Sequence, residues 1–226
     1  GIVPTTIKNK NFDFPLVVSP SICDYNRIFP SITKFEKNIG NLVKYGYSKG
    51  IEGEVTSSWG DYKNKELREN RIFGFIYSAE VGWNSKNPVN LLNFWKGAFF
   101  HLFGEKYGEI LSIFNKIRII QDKKKLRVRP TFYYNHFFSH PYNKNTRKYQ
   151  RNMKTSQFNK LIKELDKMIQ TCEENIGNLQ KNHLLIQSLT FVLKHMRFYC
   201  IKRIHSKKLA NFSVKHTKAQ YKNIVM

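Results

Sequence analysis

Two short apolar segments, each followed by a loop and a helix, constrain the fold of this chain most strongly. Residues 15–20 and 51–57 have the length and the β-branched content of buried strands. The spacing of apolar residues predicts a helix over 31–47 after the first segment and over 66–83 after the second. Residues 12–83 therefore alternate strand, helix, strand, helix, which predicts two parallel strands joined by a right-handed crossover.

The second half of the chain has a helical pattern. Apolar residues recur every three or four positions over about 106–120 and 158–179, which is the spacing of one buried helix face. A further helix is predicted over about 183–204, and residues 202–226 are interpreted as a basic tail that is solvated or frayed. We therefore predict an all-α helical region over residues 105–226.

The chain is strongly basic, with a formal net charge of +23. This charge favours a polyanion partner, such as nucleic acid or an anionic surface. The alternative is that lysine serves as a general solubilising residue, because the excess is spread along the whole chain. Apolar residues make up 41% of the sequence and aromatic residues 15%, which is enough to bury a core and argues against wholesale disorder.

No segment predicts a membrane span, a metal site or a bound cofactor. A span needs about 20 consecutive apolar residues, and the strongly apolar segment 89–103 is interrupted by Lys96 and His101, so it is predicted to be a buried helix. The three cysteines are scattered, form no disulfide or metal pattern, and are expected to be buried thiols. His136 and His140 have the spacing of two metal ligands on a helix turn but lack a third ligand nearby.

The loops after the two predicted strands hold the candidate site residues. In a β/α barrel, functional side chains lie on the loops that follow the C-terminal ends of the strands. Asp24 and Tyr25 follow the first predicted strand, and Trp59 and Asp61 follow the second. We predict that these four residues contact a substrate. The alternative interpretations are that Trp59 fills the core and that Asp61 caps the next helix.

Glu54 lies in the middle of the second predicted strand. Strand alternation places its side chain on the same face as Glu52, Thr56 and Ser58. It either supports the site from a barrel lumen or forms an ion pair with a lysine. The ion pair is the favoured interpretation, because a buried carboxylate needs a partner.

Several of these segments also resemble a known family. They are Phe-Pro-Leu-Val-Val-Ser-Pro-Ser-Ile at 14–22, Asn-Arg-Ile-Phe-Pro at 26–30, Thr-Ser-Ser-Trp-Gly-Asp at 56–61 and Ala-Glu-Val-Gly-Trp-Asn at 79–84. Together they resemble the last two β/α units of the catalytic barrel in family 20 glycoside hydrolases, the β-N-acetylhexosaminidase-like proteins. The resemblance implies an α/β fold in which residues 1–104 form part of a (β/α)8 barrel and a helical region follows.

The resemblance also implies a chemistry. Family 20 enzymes hydrolyse terminal β-linked N-acetylhexosamines with retention, and the acetamido group of the substrate is the nucleophile. An adjacent Asp-Glu pair supplies the general acid and orients the acetamido group, while aromatic residues surround the sugar. By this resemblance, Trp59 stacks on an apolar sugar face, Asp61 accepts hydrogen bonds from sugar hydroxyls, and the partner is an amino-sugar glycan.

The chain departs from the family pattern in one decisive respect: it contains no Asp-Glu dipeptide. Because it also begins at Gly1 rather than Met, we expect a fragment or a remnant that is inactive alone. One alternative is a basic helical protein that binds nucleic acid or an anionic surface. Another is a carbohydrate-binding remnant that uses Trp59 as a stacking platform.

Overall fold

The computed structural model describes residues 15–25, 27–59, 66–104, 107–122, 154–177, 179 and 181–215. Most of them are helical. In chain order the elements are β1 (Val17–Val18), α1 (Ile32–Tyr47), β2 (Gly53–Glu54), a 3₁₀ turn (Arg68–Arg71), α2 (Ile72–Trp83), α3 (Leu91–Phe103), α4 (Tyr107–Asp122), α5 (Thr155–Ile176) and α6 (His183–Lys215).

The predicted alternation of strands and helices is confirmed. Strands β1 and β2 are parallel, with Val17 opposite Gly53 and Val18 opposite Glu54, and helix α1 connects them. Both strands are shorter than the sequence predicts. Proline at positions 15 and 20 has no backbone N–H to donate, which limits the ladder around β1. Within the part of the chain that the structure describes, these two strands form the whole sheet and no barrel is present.

Helices cover one face of this sheet and leave the other exposed. Val18 is 3% exposed, and Ile22 packs so closely on α2 that a Cβ atom at Gly74 would lie 2.6 Å from it. On the opposite face, Val17 is 58% exposed and Val55 is 60% exposed. Parallel sheets are normally buried on both faces. The exposed face is therefore unusual for a parallel pair.

An aromatic cluster joins the β/α part of the chain to the helices that follow. The ring of Phe114, on α4, lies 4.7 Å from Trp95, 4.9 Å from Phe73 and 5.1 Å from Phe99, measured between ring centroids. Phe29, from the loop after β1, contacts the same ring at 6.2 Å. All five side chains are buried. The hydrophobic core therefore continues across the boundary that the sequence analysis places at residue 104.

Helices α5 and α6 pack against each other. The predicted apolar stripe of α5 is buried and comprises Phe158, Leu161, Leu165, Met168 and Cys172. Helix α6 continues to Lys215, and the prediction of a solvated tail from Lys202 is wrong at Arg203 and Ser206, whereas Lys208 and Leu209 are exposed. Arg203 and Ser206 are only 5% and 4% exposed, which shows that this part of α6 still packs on the protein.

The cysteines agree with the sequence prediction of buried thiols. Cys23, Cys172 and Cys200 are buried free thiols. Burial raises the pKa of Cys172 to about 11 and that of Cys200 to about 12, so neither is a reactive thiolate at neutral pH. Among the described helices, none combines the length and the apolar character that a bilayer span requires.

Candidate functional site

The loops after β1 and β2 lie side by side at the C-terminal edge of the sheet. The backbone N–H of Ile22 donates to the carbonyl oxygen of Ser57 at 3.1 Å, and the N–H of Ser57 donates to Pro20 at 2.7 Å. The hydroxyl of Ser57 also donates to the Pro20 carbonyl, at 2.9 Å. These bonds extend the parallel pairing beyond the two strands and fix the loops relative to each other.

Asp24 lies under the loop that follows β2 and fixes it through hydrogen bonds. Its side chain is completely buried, and its carboxylate accepts hydrogen bonds from the Ser58 hydroxyl and, at 3.0 Å, from the backbone N–H of Trp59. The guanidinium of Arg71, at the start of α2, lies 3.4 Å from the same carboxylate. The structure therefore places Asp24 inside the protein, where it orients the Trp59 loop.

Further charged side chains surround Asp24. The side chain of Glu66 is completely buried, and its carboxylate lies 3.7 Å from the Arg71 guanidinium. Arg27 is 5% exposed, and burial lowers the pKa of its guanidinium while the nearby Tyr25, Cys23, Glu66 and Asp24 raise it. Sequence reasoning missed Arg27, Glu66 and Arg71 as part of this charged cluster. The number of charged residues in and beside the two loops was the only available signal. Spacing could not indicate the pair of Asp24 and Arg71, because the two residues are far apart in the chain.

Tyr25 and Trp59 lie at the surface of the same edge. Tyr25 is 39% exposed and Trp59 is 57% exposed, so Trp59 does not fill the core. The indole N–H of Trp59 donates to the Ser57 hydroxyl at 3.1 Å, and the Arg27 guanidinium lies 5.9 Å from the Tyr25 ring centroid. Exposed aromatic rings with fixed orientation are suited to contact the apolar face of a ligand. Asp61 lies outside the described residues.

Glu54 contacts helix α2. Its carboxylate accepts a hydrogen bond from the Ser78 hydroxyl at 2.6 Å. Among the described residues it forms no ion pair with a lysine. Burial raises the pKa of Glu54, and the hydrogen bond from Ser78 opposes this shift. The strand faces the helices at this position, which places Glu54 on the side away from the exposed Val55.

The described residues contain no group of three or more His, Cys, Asp or Glu side chains arranged to hold a metal ion. His136 and His140 lie outside the described residues. Comparisons of the chain with protein-family models, with curated proteins and with solved structures give no match.

Proposed function

We propose that the chain forms the last two β/α units of a family 20 glycoside-hydrolase-like barrel and contributes Trp59 and Tyr25 to an amino-sugar subsite. The observation that carries this proposal is the junction of the two strand-end loops. Two aromatic side chains are exposed there, at the C-terminal edge of a parallel sheet. This is the edge at which β/α barrels bind their substrates.

The exposed apolar face of α2 and the exposed face of the sheet support the proposal that the chain is part of a barrel. Ile72, Phe75, Ala79 and Trp83 follow each other along α2 at spacings of three and four residues, so they share one helix face. Ile72, Phe75 and Trp83 are 37%, 39% and 90% exposed. In a closed barrel a neighbouring helix covers such a face, and neighbouring strands and inward-pointing side chains cover the sheet. Two units without their neighbours are expected to expose these surfaces.

Each residue of the proposed subsite has a separate role. Trp59 stacks on the apolar face of the sugar, and the Tyr25 hydroxyl hydrogen-bonds to the substrate. Asp24 is a positioning residue, because its carboxylate contacts the Trp59 loop and not the solvent. Asp61, by the family resemblance, accepts hydrogen bonds from sugar hydroxyls.

The chain alone is expected to be inactive as a hexosaminidase. The 226 residues contain no Asp-Glu pair, so the general acid that protonates the leaving group is missing. The test is release of the chromophore from a chromogenic N-acetylglucosaminide, with the Trp59→Ala variant as the control. We expect the same background rate for both proteins. Turnover by the unmodified chain above the Trp59→Ala rate refutes the assignment of a missing acid.

The alternative, binding to a polyanion, is favoured by the composition of α6. This helix of 33 residues contains seven lysines and arginines and no acidic residue. Binding of this kind weakens steeply as the salt concentration rises. Weak retention on heparin that is insensitive to salt counts against this alternative.

A further inference from the structure

A cleft on the helical side of the molecule is separate from the strand-end loops. It has a volume of about 430 Å³ and lies between α1, the C-terminal half of α2, the segment 84–89 and Arg118 of α4. This volume falls in the range of small-molecule sites, roughly 300 to 1,000 Å³. Val81, Val89 and Leu91 supply apolar surface in the cleft. The cleft therefore has the size and the mixed character of a site for a small ligand.

Among the described residues that line the cleft, Glu36 is the acidic one, and its charge is already paired. Glu36 is 6% exposed. Its carboxylate accepts a hydrogen bond from the Trp95 indole N–H at 2.8 Å and pairs with the Arg118 guanidinium. The Tyr77 hydroxyl donates to the Glu36 backbone carbonyl at 3.3 Å. Glu36 therefore does not repel an anion that enters the cleft.

Three lysines line the two walls. Lys37 and Lys44 are seven residues apart on α1, with Gly40 between them on the same helix face, and Lys86 comes from the opposite wall. Among the described residues, none of the three has an ion-pair partner. A Cβ atom at Gly40 would lie 3.2 Å from the Tyr77 hydroxyl, so a side chain at this position would press against Tyr77.

We propose that this cleft binds a small phosphorylated molecule. A phosphate monoester carries between one and two negative charges and three acceptor oxygens, which match three ammonium groups on two walls. Lysine is a common ligand for phosphate because its ammonium group is a compact charge with three donors. The apolar residues in the cleft contact the remainder of the molecule.

Phenyl phosphate is the probe that tests this proposal, because it combines a phosphate with a compact apolar ring. Its binding is followed by isothermal titration calorimetry and by chemical shifts of the α1 amides. We expect saturable binding with a dissociation constant of about 1 mM or lower. Absence of saturable binding overturns the proposal.

Three variants distinguish the cleft from the general positive charge of the protein. Asn41→Trp fills the cleft from an exposed position on α1 and removes no lysine. The double variant Lys37→Glu with Lys44→Glu reverses two charges in the cleft. The matched control, Lys160→Glu with Lys163→Glu, makes the same change in net charge at exposed positions of α5.

We expect the first two variants to weaken binding at least about tenfold and the α5 control to weaken it less than about twofold. Circular dichroism checks that each variant stays folded. An equal loss in the α5 control shows that binding follows net charge, and an unchanged affinity of Asn41→Trp shows that the ligand lies elsewhere. Either result overturns the proposal.

Discussion

Replacing Asp24 by alanine is expected to lower the free energy of unfolding by about 3 kcal/mol. The carboxylate is completely buried and accepts hydrogen bonds from Ser58 and from the backbone N–H of Trp59. The substitution leaves these donors without their acceptor, and it removes one of the two buried carboxylates beside Arg71, the other being Glu66. Buried donors that lose their acceptor cost their full desolvation penalty, and the loss of a buried charge partner adds to it. Urea unfolding followed by circular dichroism measures the difference.

Asp166→Ala is the matched control for this substitution. Asp166 also pairs with an arginine, Arg197, but their side chains are 47% and 41% exposed. Solvent screens such a pair, so the control is expected to lose less than about 1 kcal/mol. A similar loss in the two variants would contradict the role that the structure gives to Asp24.

Phe114→Ala is expected to be the most destabilising single substitution, with a loss of about 4 kcal/mol in the free energy of unfolding. The Phe114 ring is completely buried and contacts aromatic rings from the loop after β1, from α2 and from α3. Alanine would leave a cavity at the point where these elements meet. The same urea titration measures the effect.

Phe100→Ala removes the same number of atoms from α3 at a position that is 48% exposed. It is expected to cost less than about 1 kcal/mol, because solvent already reaches much of this ring. One result would contradict a core that continues across residue 104. In that result, part of the Phe114→Ala variant unfolds in an early transition while α5 and α6 stay folded.

The local pattern of the sequence was sufficient to predict most of the elements. Apolar residues at helical spacing predicted α1 with an error of one residue at its start, whereas β1 was placed correctly but is shorter than the predicted strand over 15–20. Pattern also predicted the buried face of α5. These predictions succeed because each depends on neighbours within about ten residues along the chain.

The contacts made by buried polar residues could not be predicted in this way. Asp24 is polar and lies in a loop, so the sequence favours exposure, yet its pairing with Arg71 across 47 positions buries it. Arg203 is likewise buried in a segment that composition alone assigns to a solvated tail. The cleft beside α1 depends on the relative placement of four helices, which spacing along one helix does not give.

We propose that Trp59, which Asp24 orients at the edge of the parallel sheet, contacts an amino sugar. A nuclear magnetic resonance titration of the tryptophan indole N–H signals with N-acetylglucosamine tests it directly. We predict a saturable shift of the Trp59 signal, with a dissociation constant on the order of 10 mM. Trp83→Ala, which removes an indole that is 90% exposed on α2, should leave this shift unchanged. A Trp59 signal that does not respond to the sugar would exclude the proposed contact between Trp59 and an amino sugar.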